Sequence, residues 1–302
     1  MRPPTHRHHV VSPAELSALR DLELVTRTTV EGLRQGLHRS PFHGFSAEFS
    51  QYRHYRPGDD LKYVDWKAFA RTDRLYSRQF RETTNLGALF VVDASLSMAF
   101  PADSGSKFDR ARAAAAVLAT LVIDQGDAAG LLAMTGDEPS SVQYVPPRSG
   151  RHHLHLYLAE LARLTATGST AVAAALRRAA GVMRRRGLIV VMSDLYEDEE
   201  ALAEIRRLAR MGHDVVVIQV VSRAELRLPA GGALELVDLE SGQRLITSPD
   251  AIAEDYARRI EAFLRGVKET VEREGLDYLR LLADEPLEPA LRRFLIGRRG
   301  GH

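Results

Sequence analysis

The sequence contains no cysteine, which excludes disulfides, thiolate metal sites, iron–sulfur clusters and a cysteine nucleophile. Long hydrophobic runs are also missing. The longest candidates, residues 113–123 and 215–221, are too short for a membrane-spanning helix, which needs about 20 mostly apolar residues. The first eleven residues lack the apolar core that a secretory signal requires, so we expect a cytoplasmic protein.

Neither charge sign is in excess, because the chain has 41 basic and 40 acidic residues and a formal net charge of +1. Strong nucleic-acid binders usually carry a basic surplus, so this balance argues against nucleic acid as the main partner. Lysine is scarce, since four of the basic residues are lysine and 37 are arginine. The sequence has no P-loop, which excludes ATP hydrolysis by P-loop chemistry. It also has no G-x-S-x-G motif, the nucleophile elbow of α/β-hydrolases.

The N-terminal part of the 302-residue chain is predicted to differ from the rest. Residues 1–12 have no hydrophobic pattern and are expected to form a disordered tail. Residues 13–85 are predicted to begin with a helix and to continue as a β-rich segment of aromatic and turn residues. We expect the aromatic side chains of this segment, Trp66 among them, to pack on the main domain at residues 86–297. Residues 298–302 are expected to be a second tail.

From residue 86 onward, apolar runs alternate with helical patterns. Strands are predicted at residues 86–92, 128–134, 142–145, 188–192, 215–221 and 278–282, with helices between them and a hairpin at residues 234–246. Near-continuous apolar strands separated by helices predict an α/β fold, with a doubly wound, mostly parallel sheet and helices on both faces. Ligands of such sheets bind beyond the carboxyl ends of the strands, so a functional site is expected at that edge.

Polar side chains follow two of the predicted strands. Asp93 ends the first strand and is followed by Ser95 and Ser97, whereas Asp194 follows the fourth main strand. Thr170 lies at the head of a predicted helix. Together these residues offer only hard oxygen donors, which suit Mg²⁺ or Mn²⁺ rather than zinc. The alternative is that the serines only cap a turn after the strand.

These five residues resemble the metal-ion-dependent adhesion site of von Willebrand factor A domains. Upstream, residues 48–60 (EFSQYRHYRPGDD) are similar to a bacterial family catalogued as domain of unknown function 58. Four further segments share this similarity: residues 64–67, 70–72, 146–150 and 193–195. The resemblance extends from about residue 15 to residue 297.

The resemblance implies an A-type α/β domain without an established enzymatic activity. Members of the family often accompany MoxR-type AAA+ ATPases, which are thought to assemble or activate other complexes. Two features of this chain depart from the family. Many members carry N-terminal membrane helices, which are not predicted here, and many have an aspartate after the loop threonine, where this chain has Ala171. We expect the metal ligands to be retained, with weaker support around them.

The favoured function is a non-enzymatic, metal-dependent protein-interaction module. The ion is expected to offer an open coordination position to an acidic side chain of a partner, a MoxR-type AAA+ ATPase or its client. A second hypothesis is a metal-dependent hydrolase, in which the same ion activates water. That reaction needs a general base, for which Asp194 or an acidic residue of 197–200 is available. A third hypothesis, an arginine-rich scaffold for nucleic acid or a membrane face, is opposed by the near-zero net charge.

Overall fold

The computed structural model describes most of the chain. The described residues are 13–36, 48–55, 64, 66–72, 74–81, 86–101, 105–134, 142–169, 171–196, 198–229, 231–232 and 234–299. The predicted N-terminal tail and Thr170 lie outside these residues.

The described elements alternate between helices and strands after an N-terminal segment. In chain order they are α1 (Pro13–Gly36), β1 (Glu48–His54), α2 (Trp66–Thr72), β2 (Tyr76–Arg81), β3 (Gly87–Asp93), α3 (Lys107–Asp124), β4 (Ala128–Met134), β5 (Val142–Arg148), α4 (Arg151–Arg163), α5 (Val172–Val182), β6 (Leu188–Ser193), α6 (Glu199–Arg210), β7 (Asp214–Val221), α7 (Arg223–Leu226), β8 (Leu234–Val237), β9 (Arg244–Thr247), α8 (Pro249–Arg273), β10 (Asp277–Leu282) and α9 (Leu287–Arg299). A 3₁₀ turn, Leu96–Ala99, follows β3.

A six-stranded sheet with the order β10-β7-β6-β3-β4-β5 forms the centre of the fold. Five strands are parallel, and the edge strand β5 runs antiparallel to β4. Alternate residues of β3 point to opposite faces, so Phe90 belongs to one buried cluster and Leu89 to another. Helices α1, α3, α4 and α9 contribute to the first cluster, and α5, α6 and α8 contribute to the second. The expected doubly wound α/β fold is therefore confirmed.

The N-terminal segment joins the fold through α1. This helix packs against α3, α4 and α9, and its Leu33 is fully buried. Strands β1 and β2 pair with each other as a separate antiparallel ribbon. Trp66 was expected to be buried but is 57% exposed, and its ring contacts Phe69 edge to face at 6.4 Å. The expectation for Trp66 is wrong because the tryptophan lies on α2, a short helix in a region predicted as strands and turns.

The ends of three elements differ from the prediction. Strand β5 continues to Arg148 through two prolines, which an edge strand tolerates because one side of it makes no ladder hydrogen bonds. The sequence pattern predicts a helix over residues 171–186, whereas α5 ends at Val182, because Met183 leaves the helical conformation. Helix α9 extends to Arg299, into the residues predicted as a tail. No helix of the described residues is both long enough and apolar enough to cross a membrane.

Candidate metal centre

The candidate site lies where the strand order of the sheet reverses. After β3 the chain forms β4 and β5 on one side, and it then crosses to form β6, β7 and β10 on the other. The carboxyl ends of β3 and β6 therefore border a crevice between diverging connections, which is where open α/β sheets bind ligands. Asp93 is the last residue of β3, and Asp194 directly follows β6.

Asp93 is a buried carboxylate that the backbone and a neighbouring strand hold in place. Its Oδ1 accepts a hydrogen bond from the Ser95 backbone N–H at 3.0 Å, and its Oδ2 accepts one from the Ser193 hydroxyl at 2.6 Å. Burial, followed by repulsion from Asp194, raises the pKa of Asp93 to about 6. No lysine or arginine of the described residues forms an ion pair with Asp93, so its charge lacks a direct counter-ion in this part of the chain.

The hydroxyls of Ser95 and Ser97 are adjacent, with their Oγ atoms 2.9 Å apart. Ser95 is buried, whereas Ser97 is partly exposed. A second loop is fixed against this turn, since the Leu96 N–H donates to the carbonyl of Gly168 at 3.0 Å. Thr170 follows Gly168 by two residues but lies outside the described part of the chain, so its predicted role stays a prediction.

Asp194 lies in the same crevice, but a lysine already binds it. The Lys107 ammonium lies 2.6 Å from Asp194 Oδ2, while Asp194 Oδ1 accepts a hydrogen bond from the Tyr196 N–H at 3.3 Å. Leu195, between them, has a φ of 55°, which is a left-handed conformation that leucine rarely adopts. The carboxylate is thus held by a strained turn and an ion pair rather than left free.

Lys107 is fully buried at the first turn of α3 and connects several elements. Its ammonium also lies 2.5 Å from Glu225 Oε1 and 4.9 Å from the centre of the Tyr196 ring. That ring stacks on Phe263 of α8. Burial raises the pKa of Glu225, while Lys107 acts in the opposite direction. The site therefore contains a buried lysine that holds two carboxylates.

The donor set fits a hard divalent cation at Asp93, Ser95 and Ser97. These groups are all oxygen donors, and the buried Asp93 carboxylate needs a compensating positive charge. Within the described ranges, no three acidic, histidine or cysteine side chains cluster as they do in an all-protein metal cage. A bound ion would therefore depend on the hydroxyls and on water. Asp194 fits less directly, because Lys107 occupies one of its oxygens.

The comparisons with known proteins identify the family. A family model described as "Protein of unknown function DUF58" matches residues 51–263. This chain belongs to the DUF58 family. The uncharacterized protein Rv1480 of Mycobacterium tuberculosis is 33% identical over 302 residues, covering 98% of this DUF58 chain and 93% of that protein. The uncharacterized protein MAV169 of Mycobacterium avium is 31% identical over 164 residues, covering 52% and 95% of the two chains.

Solved structures are more distantly similar to this DUF58 chain. An aerotolerance-related membrane protein from Bacteroides fragilis aligns with a TM-score of 0.47 and 18% identity, covering 71% of this chain and 99% of that one. The conserved hypothetical protein BatB of Bacteroides thetaiotaomicron gives 0.46 and 17%, with 72% and 100% covered. A von Willebrand factor type A protein from Catenulispora acidiphila gives 0.40 and 14%, with 72% and 44% covered.

Sequence reasoning about this DUF58 chain missed Lys107. The lysine is 87 residues from Asp194 and 118 residues from Glu225 in the sequence, so no local pattern indicates the pairing. A weak signal exists, because Lys107 is one of only four lysines in an arginine-rich chain. It also lies at a helix N-terminus, where a cation opposes the helix dipole and requires nearby acidic groups.

Proposed function

We propose that this DUF58 protein is a non-enzymatic protein-interaction module that depends on Mg²⁺ or Mn²⁺. In this proposal Asp93, Ser95, Ser97 and Thr170 hold the ion, and Asp194 contributes negative charge while it remains bound to Lys107. When bound, the ion supplies an open coordination position for a carboxylate of the partner. The partner is a MoxR-type AAA+ ATPase or a client of that ATPase, and the complex assembles or activates other proteins.

The observation that carries this proposal is the buried Asp93 carboxylate beside two adjacent hydroxyls. Isolated ionised carboxylates are costly to bury, so either a proton or a cation must accompany the group. The serine hydroxyls, 2.9 Å apart, are neutral oxygen donors next to it. Ser97 is partly exposed, which leaves the outer side of the site accessible to another molecule. This arrangement suits a cation that binds a partner at the surface.

The acidic residues considered as a general base favour the non-enzymatic role. Asp194 is held by Lys107, and Asp198 accepts a hydrogen bond from the Ala201 N–H at 2.7 Å as the N-cap of α6. Glu199 and Glu200 are exposed in the first turn of the same helix, where acidic residues stabilise the helix dipole. Each of these four acids therefore has a structural explanation that does not involve activating water. Glu197, the other acidic residue considered, lies outside the described residues.

The choice of partner rests on the family, whose members often accompany MoxR-type ATPases. The test is capture of the purified MoxR-type ATPase from the same organism by the immobilised full-length protein. Chelation alone is not decisive, because such ATPases themselves bind magnesium nucleotides. The comparison is therefore made between variants at constant Mg²⁺. We expect Asp93→Asn and Ser97→Ala to reduce capture at least about tenfold, since the first removes the negative charge of a ligand and the second removes a ligand hydroxyl.

Asp124→Asn is the matched control for Asp93→Asn. Asp124 is the last residue of α3 and lies near the amino ends of the strands, at the opposite end of the sheet from the candidate site. There it pairs with Arg34 at 2.5 Å. Capture by this variant is expected to equal that of the wild type. Equal capture by the wild type and Asp93→Asn would contradict the proposed mechanism. Metal-dependent hydrolysis of a phosphate or ester substrate that Asp194→Asn abolishes would favour the hydrolase instead.

A further inference from the structure

A cavity of about 670 Å³ opens beside the candidate metal centre. It lies between the turn after β3, the start of α3, α7 and the β8–β9 hairpin. We call it the hairpin groove and define it by six of its lining residues: Ser97, Leu228, Leu234, Leu236, Val237 and Leu239. The groove thus joins a hydroxyl of the candidate site to an apolar wall. Its volume is in the range of about 300–1,000 Å³ that is typical of binding pockets.

The β8–β9 hairpin, which forms the outer wall of the groove, exposes several apolar side chains to solvent. In the described part of the chain, β8 and β9 pair only with each other. Val237 and Leu239 are 45% and 44% exposed, and Leu245 and Ile246 are more exposed still. An isolated two-stranded ribbon is marginally stable in water, and clustered exposed apolar residues mark interaction surfaces. The hairpin therefore has the features of a surface that a partner covers.

The rim of the groove adds a positive charge. Arg227 lines it and is exposed, and no carboxylate of the described residues pairs with its guanidinium. The acidic lining residues Glu225 and Glu235 are already paired, with Lys107 and Arg244 respectively. Guanidinium groups bind carboxylates through two parallel hydrogen bonds. An occupant that complements this groove therefore combines an acidic group with apolar side chains.

We propose that the hairpin groove binds an extended, acidic and apolar segment of a partner protein. The proposal rests on the proposed function and specifies the chemistry of the partner. A protein segment fits better than a small molecule, because Leu245, which pairs with Leu236 across the hairpin and is 58% exposed, extends the apolar wall past the cavity. The apolar side chains of the segment contact the leucines of the hairpin, and a carboxylate pairs with Arg227. The groove leads to Ser97, where a further carboxylate reaches the candidate metal centre.

The test measures binding of fluorescent peptides to the full-length protein by anisotropy. Each peptide has an aspartate before a run of leucine and valine, and matched peptides carry asparagine for aspartate or serine for the apolar residues. Leu239→Ser is compared with Met211→Ser, because Met211 is also 44% exposed but lies beyond α6 at the opposite edge of the sheet. Arg227→Gln is compared with Arg210→Gln, which changes an exposed arginine at that opposite edge.

We expect the acidic and apolar peptides to bind, and both matched peptide sets to bind at least about tenfold more weakly. Leu239→Ser is expected to weaken binding about tenfold and Arg227→Gln at least about threefold, with both controls unchanged. Absence of binding, or equal binding by Leu239→Ser and Met211→Ser, would overturn the groove. Groove-dependent binding that persists in EDTA and in Asp93→Asn would support the groove and contradict the proposed metal dependence.

Discussion

Replacing Lys107 with methionine tests the internal ion pair of the site. Methionine keeps a long unbranched side chain but removes the ammonium, which leaves the carboxylates of Asp194 and Glu225 without their cation. The side chains of Lys107 and Asp194 are only 1% and 3% exposed, so water replaces little of the lost interaction at Asp194. Removing one member of a buried pair costs about 3–5 kcal/mol, because an uncompensated charge stays in the interior.

Two smaller effects modify this magnitude without reversing it. Loss of a cation from the first turn of α3 relieves an unfavourable helix-dipole interaction of about 0.3–1 kcal/mol. Loss of the contact with the Tyr196 ring, 4.9 Å from the ammonium, acts in the opposite direction with a similar size. We therefore expect the free energy of unfolding to fall by about 3–5 kcal/mol. The melting temperature is expected to fall by about 6–10 °C, at roughly 2 °C per kcal/mol for a chain of this length.

Circular dichroism during urea and thermal unfolding measures both quantities. Lys268→Met is the matched control, because Lys268 is exposed on α8 and lies 3.7 Å from Glu272. That variant is expected to change the free energy of unfolding by less than about 0.5 kcal/mol. Adding Asp194→Asn to Lys107→Met is expected to restore part of the loss, since the orphaned charge is removed. If both lysine variants unfold at the same urea concentration, the reasoning about the buried pair is wrong.

Three further predictions concern the packing around the site. Leu33→Ala in α1 is expected to cost about 2–5 kcal/mol of unfolding free energy, whereas Leu24→Ala, 66% exposed on the same helix, costs less than about 0.5 kcal/mol; equal costs in urea unfolding would refute the docking of α1. Tyr157→Phe removes a buried hydroxyl that has no hydrogen-bond partner among the described residues and is expected to raise the melting temperature, so a fall would contradict this. Gly130→Ala brings a methyl group within 2.7 Å of the Pro147 nitrogen and is expected to lower the free energy of unfolding by about 1–3 kcal/mol. Gly181→Ala in α5 meets open space and is expected to stabilise the protein. If calorimetry finds the Gly130 variant more stable than the Gly181 variant, the close approach is refuted.

The central sheet was predictable from the sequence because its strands are buried on both faces. Such strands read as continuous apolar runs, so the ends of β3, β6 and β7 differ from their predicted positions by at most one residue. Asp93 and Asp194 were placed at one edge for the same reason. Predictions from local sequence patterns were wrong where the position of a segment in the fold determines its structure or burial. The edge strand β5 contains two prolines that suggested an early end, and Trp66 lies exposed on a helix that aromatic composition alone does not predict.

The ion pair of the site could not be predicted, because it joins three distant parts of the chain. Lys107 precedes Asp194 by 87 residues and Glu225 by 118. Only the tertiary fold brings together the start of α3, the end of β6 and α7, which carry these three residues. The sequence alone indicated five equivalent oxygen ligands: Asp93, Ser95, Ser97, Thr170 and Asp194. The structure distinguishes Asp93, which lacks a counter-ion among the described residues, from Asp194, which has one.

The central claim is that Asp93, Ser95 and Ser97 bind a divalent cation. The most direct test is a titration of the full-length protein with Mn²⁺, monitored by isothermal calorimetry and by the EPR signal of the free ion. We predict saturable binding that Mg²⁺ displaces, that Asp93→Asn weakens at least about tenfold and that Ser97→Ala also weakens. Asp124→Asn, at the opposite end of the sheet, is predicted to bind Mn²⁺ as the wild type does. Equal Mn²⁺ affinity in the wild type and in Asp93→Asn would contradict the assignment of the metal centre.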